Sequence, residues 1–138
     1  METIKKLLFV FIILEIIFSI TLVYTSYSES KVCAPGFDCA GVQNSPYAYF
    51  LGIKLSLLGA ISFPLLLILF LLSLKYKYLQ RFYLAAVILG TVGAVYFLAI
   101  QAFILKAFCS TCVAVDSLMI VILIFTLYDL KKNKHKKV

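Results

Sequence analysis

The sequence predicts an all-α membrane protein, a four-transmembrane-helix bundle with both termini cytoplasmic. Three observations predict it. Of 138 residues, 64% are hydrophobic and 14% charged, with a mean hydropathy of +1.07, whereas a soluble domain carries about a quarter charged residues. The apolar residues fall into four stretches, each near the ~20 residues that one crossing takes. The basic residues gather on the side where four crossings leave both termini. The chain is read as one domain, 1–138, with spans at about 7–25, 54–74, 82–105 and 110–129 and an outer redox loop over 26–53.

Each element has its own justification. The run from Leu7 to Tyr24 follows Lys5 and Lys6 and has the basic start of a signal peptide. It is too long for an h-region and is followed by Thr25-Ser26-Tyr27 instead of a small-residue cleavage site, so it reads as a retained anchor helix. Residues 26–46 form a polar loop holding Cys33 and Cys39. Tyr47 to Leu74 exceeds one span, and its first part, to about Lys54, reads as an interfacial segment. Pro64 should kink the crossing that follows. Lys75, Lys77 and Arg81 make a basic turn. Phe82 to Leu105 is the third span, with Ala86, Gly90, Gly93 and Ala94 as a small-residue packing face. The fourth starts after Ser110 and ends in the lysine-rich tail, which holds topology and touches anionic lipid.

Charge placement sets the orientation. Lys5, Lys6, Lys75, Lys77, Arg81, Lys131, Lys132, Lys134, Lys136 and Lys137 are ten cations on the terminal side; Lys31, Lys54 and Lys106 are three on the other. By the positive-inside rule the termini are cytoplasmic. The net charge of +7 therefore reports membrane orientation and calls for no nucleic acid. Tyr24, Tyr27, Tyr47 and Tyr49 read as outer interface anchors, and Tyr76, Tyr78, Tyr83 and Tyr128 as inner ones. All four cysteines then face the extracytoplasmic side, where disulfides persist.

Cys109-Ser110-Thr111-Cys112 opens the last helix. The helix N-terminus stabilises a thiolate and activates the first sulfur, and the two-residue spacer lets the second resolve a mixed disulfide. In Cys33-Ala-Pro-Gly-Phe-Asp-Cys39 a Pro-Gly turn can bring the sulfurs within disulfide reach. Two dithiols on one face make a relay from a partner's thiols to an acceptor. His135, in the tail, is the one histidine, which excludes a bis-histidine haem, so a lipid-soluble quinone is the economical acceptor. The rivals are a non-catalytic membrane protein with two structural disulfides, and a Cys₄ zinc site. Unequal pair spacing and the position of Cys112 at the start of a span count against zinc, and no metal is expected.

The run Cys39-Ala-Gly-Val-Gln-Asn-Ser45-Pro-Tyr-Ala, then Gly52-Ile53, Leu58-Gly59 and Cys109-x-x-Cys112, resembles the vitamin K epoxide reductase family, in a prokaryotic-type form without a fused thioredoxin-like domain. The resemblance implies a membrane thiol oxidoreductase that reoxidises a thioredoxin-like (DsbA-like) thiol protein. The acceptor would be a quinone: menaquinone, ubiquinone or a related naphthoquinone. It implies that Cys112 faces the quinone, Cys109 exchanges with Cys39, Cys33 meets the partner, and Ser45 helps hold the loop over the site. The membrane would be a prokaryotic plasma membrane, with the endoplasmic reticulum as the alternative. Two departures favour ordinary quinone reduction over epoxide reduction. Lys54-Leu55 stands where many relatives have Pro-Asn, and Asp116 where vertebrate relatives have a tyrosine. Asp116, one turn below Cys112, is a candidate proton shuttle, or else a partner of Lys54 or Lys106. Tyr96, away from the interfaces, is a candidate donor to a quinone carbonyl. Glu15, near mid-span, reads as a structural acid bonded to a neighbouring helix.

Overall fold

The structure, a computed structural model, describes residues 2–27 and 33–135. Lys31 of the outer loop and Lys136 and Lys137 of the tail lie outside the described residues. Four helices are long and apolar enough to cross a membrane: α1 (Glu2–Tyr27), α3 (Leu55–Lys75), α4 (Leu79–Ala99, continued by a π-helical turn, Ile100–Leu105) and α5 (Ser110–His135). At ~1.5 Å per residue the 26 residues of α1 reach about 39 Å, more than the ~30 Å hydrocarbon layer. In the bundle α1 packs on α3 and α5, and α4 on α3 and α5, so each helix touches two neighbours in a closed ring.

The connections differ in kind. Between α1 and α3 come a short helix α2 (Cys39–Gln43), a 3₁₀ turn (Pro46–Ala48) and a two-residue antiparallel pair, β1 (Tyr49–Phe50) with β2 (Ile53–Lys54). The interfacial segment expected ahead of Lys54 is thus a β-hairpin. Its turn places Leu51 at φ 53° and Gly52 at φ 81°, the paired positive φ of a tight hairpin. Pro64 lies inside α3, which runs unbroken from Leu55 to Lys75.

The main core joins Leu8 and Ile12 of α1, Leu66 and Phe70 of α3, Tyr83 and Val87 of α4, and Met119 and Ile122 of α5. Gly90 and Ala94 serve the close packing expected of the third span. Ala94 is buried, and a Cβ on Gly90 would run into the terminal methyl of Met119. Gly93 does not, for a Cβ there meets nothing within 4 Å. Two tyrosines also exchange their expected places. Tyr83 leaves the interface for the core, where its ring packs tilted against Phe70 at 5.3 Å and its hydroxyl lies 3.3 Å from that of Thr126. Tyr96 is 59% exposed on the outside of α4. Glu15 is fully buried, but neither carboxyl oxygen has a hydrogen-bond partner among the described residues, contrary to the bonded structural acid expected.

Candidate functional site: a cysteine relay beside an apolar cavity

The loop folds around its own turn. Pro35 and Gly36 (φ 85°) occupy the two central positions, and Phe37 N–H donates to the Ala34 carbonyl at 3.1 Å. This is the Pro-Gly pattern of a type II turn, in which glycine alone takes positive φ freely. It brings the Cα atoms of Cys33 and Cys39 to 6.0 Å, and the two are joined as a disulfide. Asp38 caps α2, its Oδ1 accepting from Gly41 N–H at 2.9 Å, while its own N–H donates to the Phe108 carbonyl at 3.0 Å. That last bond ties the loop to the connector ahead of α5. Ser45 closes the other end of α2, its hydroxyl donating to the Val42 carbonyl at 2.7 Å.

The second pair sits directly beneath. Cys109 is completely buried and, with Cys39 and Val42, forms a small core of its own, packed by Cys33, Leu105, Ala107 and Cys112. It immediately precedes α5 and acts as its cap: its Sγ accepts the Cys112 N–H at 3.3 Å and its carbonyl the Val113 N–H at 2.9 Å. Both Cys109 and Cys112 are free thiols, and Cys112 Sγ lies 2.7 Å from Cys109 Sγ. These donors push the Cys109 thiol down from an ordinary 9.0 to about 6. The Cys112 thiol contributes most, and the Cys112 backbone N–H, the Gln43 amide and the Thr111 N–H add to it, against the opposing effect of burial. These contacts favour the thiolate form of Cys109 over the thiol.

Three polar side chains frame the pair without having been singled out by sequence reasoning. Ser110 Oγ lies 3.9 Å from Cys33 Sγ and 3.7 Å from Cys39 Sγ and accepts the Ala34 N–H at 3.3 Å. It stands between the two sulfur pairs. Gln101, turned inward by the π-helical turn, accepts the Cys109 N–H at 3.0 Å. Gln43 Nε2 donates to Cys109 Sγ at 3.7 Å. Gln101 carried a signal, since a polar amide deep in an apolar span is expensive unless it has a task. Gln43 carried a weaker one, being four residues beyond Cys39 and so on the same helical face.

Below the cysteines lies a cavity of about 110 Å³. Leu22, Phe63, Phe97, Ile100 and Val115 give it apolar walls, and Cys112, Asp116, Ser45, Gln43 and Ser56 give it polar points. Of the residues the sequence marked, Cys112, Asp116 and Ser45 meet here. Tyr96 does not line it; its neighbour Phe97 does, with Tyr96 packed edge-on against the outer side at 5.4 Å. Asp116 Oδ2 is buried without a hydrogen-bond partner among the described residues. Lys54, one proposed partner for it, donates instead to the Ser26 carbonyl at 3.1 Å, beneath the rings of Tyr27 and Tyr49.

Among curated proteins no match to the chain is found. The sequence profile of the Vitamin K epoxide reductase family matches residues 7–127, nearly the full length. With four membrane-crossing helices and two adjoining cysteine pairs, the chain belongs to the vitamin K epoxide reductase family and is a multi-pass membrane thiol oxidoreductase.

Proposed function

We propose that the protein moves two electrons from a thioredoxin-like thiol protein to Cys33/Cys39, then to Cys109/Cys112, and finally to a membrane quinone. Reoxidation of the partner sustains disulfide formation outside the cytoplasm. The observation that carries this reading is the contiguity of the parts. The loop disulfide, the Ser110 hydroxyl, the Cys109/Cys112 thiols and the cavity follow one another without a gap. The ten-to-three bias of basic residues supports cytoplasmic termini and a site on the opposite face. A prokaryotic plasma membrane is the setting that suits it.

The cavity's donor set suits a quinone ring edge. Asp116 presents a buried oxygen with no partner among the described residues, Cys112 presents its sulfur, and the walls are apolar. A quinone supplies a sink for two electrons and two protons. The chain's own part is to deliver them in order. Cys33, on the more open side of the loop pair, meets the partner's thiols. Cys39 exchanges with Cys109. Cys112 faces the cavity as the terminal sulfur, and Asp116, one turn further along α5, holds a proton at Oδ2. Ser45 keeps α2 closed over them through its bond to Val42.

The reading in which both cysteine pairs are structural disulfides has less support, because Cys109 and Cys112 are free. The deciding experiment combines purified protein in detergent, a short-chain quinone and a reduced thioredoxin-like protein. Quinone absorbance is followed for wild type and Cys112→Ala. Turnover that requires both the thiol protein and Cys112 is the expected result. Absence of turnover with every quinone tried, with both pairs inert to thiols, would replace the relay with the structural reading.

A further inference from the structure

Cys109 must leave as a thiolate each time it exchanges with the loop, in a site from which water is excluded. A buried sulfur anion needs donors, and a thiolate leaves faster the better it is stabilised. Two donors to Cys109 Sγ come from Cys112, through its N–H and its thiol. The Thr111 N–H adds to them, and one more donor comes from the loop. Gln43 is buried, its Oε1 lies 2.6 Å from the Ser26 hydroxyl, and its Nε2 reaches the sulfur. With the carbonyl end engaged by Ser26, the amide N–H₂ is the end left for Cys109. Gln43 and Cys39 sit at opposite ends of α2, four residues apart. The same docking of α2 that sets Cys39 beside Ser110 therefore sets Gln43 on Cys109.

We propose that Gln43 is a catalytic residue of the sulfur exchange, the group from the loop that stabilises Cys109 as the leaving thiolate. The role rests on the relay reading and has two displacements to serve. The Cys39 thiolate attacks Cys109 of a Cys109–Cys112 disulfide. The Cys39–Cys109 bond forms, the Cys109–Cys112 bond breaks, and Cys112 leaves with the electron pair and takes a proton. The Cys33 thiolate then attacks Cys39. The Cys33–Cys39 bond forms, the Cys39–Cys109 bond breaks, and Cys109 leaves as the anion that Gln43 receives. In sum, the loop dithiol loses two electrons and the inner disulfide gains two. The pairing present in the structure, a closed loop disulfide with Cys109 and Cys112 free, is the product of the second displacement.

The titratable groups facing Cys109 are Cys112 and Asp116 on α5, while α2 and α4 face it with the neutral amides of Gln43 and Gln101. The test is an ultraviolet thiolate titration of the full-length protein in detergent, with the loop disulfide closed and the inner pair reduced, and Cys109→Ser as the blank. Gln43→Leu removes the donor, and Gln43→Glu keeps the shape but replaces the donor with an acceptor. The midpoint should rise by about one pH unit or more in Gln43→Leu, leaving about tenfold less thiolate below it, and at least as far in Gln43→Glu. Electron transfer from a reduced loop to the inner disulfide should slow in parallel. An unchanged midpoint in both variants overturns the proposal. So does a rise in Gln43→Leu alone, which would trace the effect to packing. No quinone or partner enters the titration, so failure of the relay itself would show in the turnover assay and leave this result readable.

Discussion

Gln43 and Cys109, 66 residues apart in sequence, meet at 3.7 Å between amide nitrogen and sulfur. The contact joins the outer loop to the N-terminal end of the last helix.

The first prediction concerns pH. The folded Cys109 thiol is held at about 6 against an ordinary 9.0, so between those values the unfolded chain binds more protons than the folded one. Stability should therefore rise with pH across that window, be fully gained above the ordinary value, and be lost as pH falls through about 6. Melting temperatures of the protein with reduced inner thiols, measured from pH 5 to pH 9, should show this slope. Cys109→Ser should flatten it.

Cys33→Ala combined with Cys112→Ala removes the sulfurs that flank the exchanging pair and leaves Cys39 and Cys109 alone. The expected product of mild oxidation is a Cys39–Cys109 bond, visible by peptide mapping without reduction. If no such bond forms, direct exchange between Cys109 and Cys39 is excluded.

Ser110 supplies a hydroxyl to both loop sulfurs and to the Ala34 N–H. Ser110→Ala should cost about 1 kcal/mol of stability for the half-buried bond lost and slow exchange between the pairs. Ser110→Thr should keep the hydroxyl and most of the rate. Stopped-flow mixing with a reduced partner reads both. Equal rates in all three proteins would leave Ser110 with a packing role alone.

The two glycines of α4 should respond in opposite directions. Gly90→Val forces Met119 aside and should cost about 1–3 kcal/mol. Gly93→Ala meets open space and should gain about 0.5–1 kcal/mol from helix propensity. Thermal unfolding in detergent compares them.

Tyr96→Phe should leave quinone turnover and KM unchanged, because the cavity wall at that level is Phe97. Tyr83→Phe should lower stability by about 1 kcal/mol through loss of the bond to Thr126, also with no effect on KM. A raised KM in Tyr96→Phe would put the quinone on the outer face of α4.

The tyrosines mark where legibility ended. Hydropathy places a residue at a depth along a span but does not say which side of the helix faces the bundle, since lipid and core are equally apolar. Tyr83 reads as an interface anchor and Tyr96 as a group facing the site, and packing turns the first inward and the second outward. The same limit hid Gln43, whose polarity is unremarked in a polar loop until α2 docks.

By itself the sequence determined the crossings and the place of the inner cysteine pair. Four apolar runs must become helices because unpaired backbone groups cannot be left in lipid, and the Cys-x-x-Cys spacing puts both sulfurs at the start of the last of them. The spacing around Pro35-Gly36 likewise determined a turn able to close Cys33 onto Cys39. Tertiary structure alone decided that Ser110 would lie between the pairs, that Gln43 and Gln101 would close on Cys109, and that Cys112 and Asp116 would open onto one cavity. Those contacts span gaps of 8 to 77 residues and follow from how α2 and the π-helical turn seat against α5. No local pattern in the chain encodes that seating.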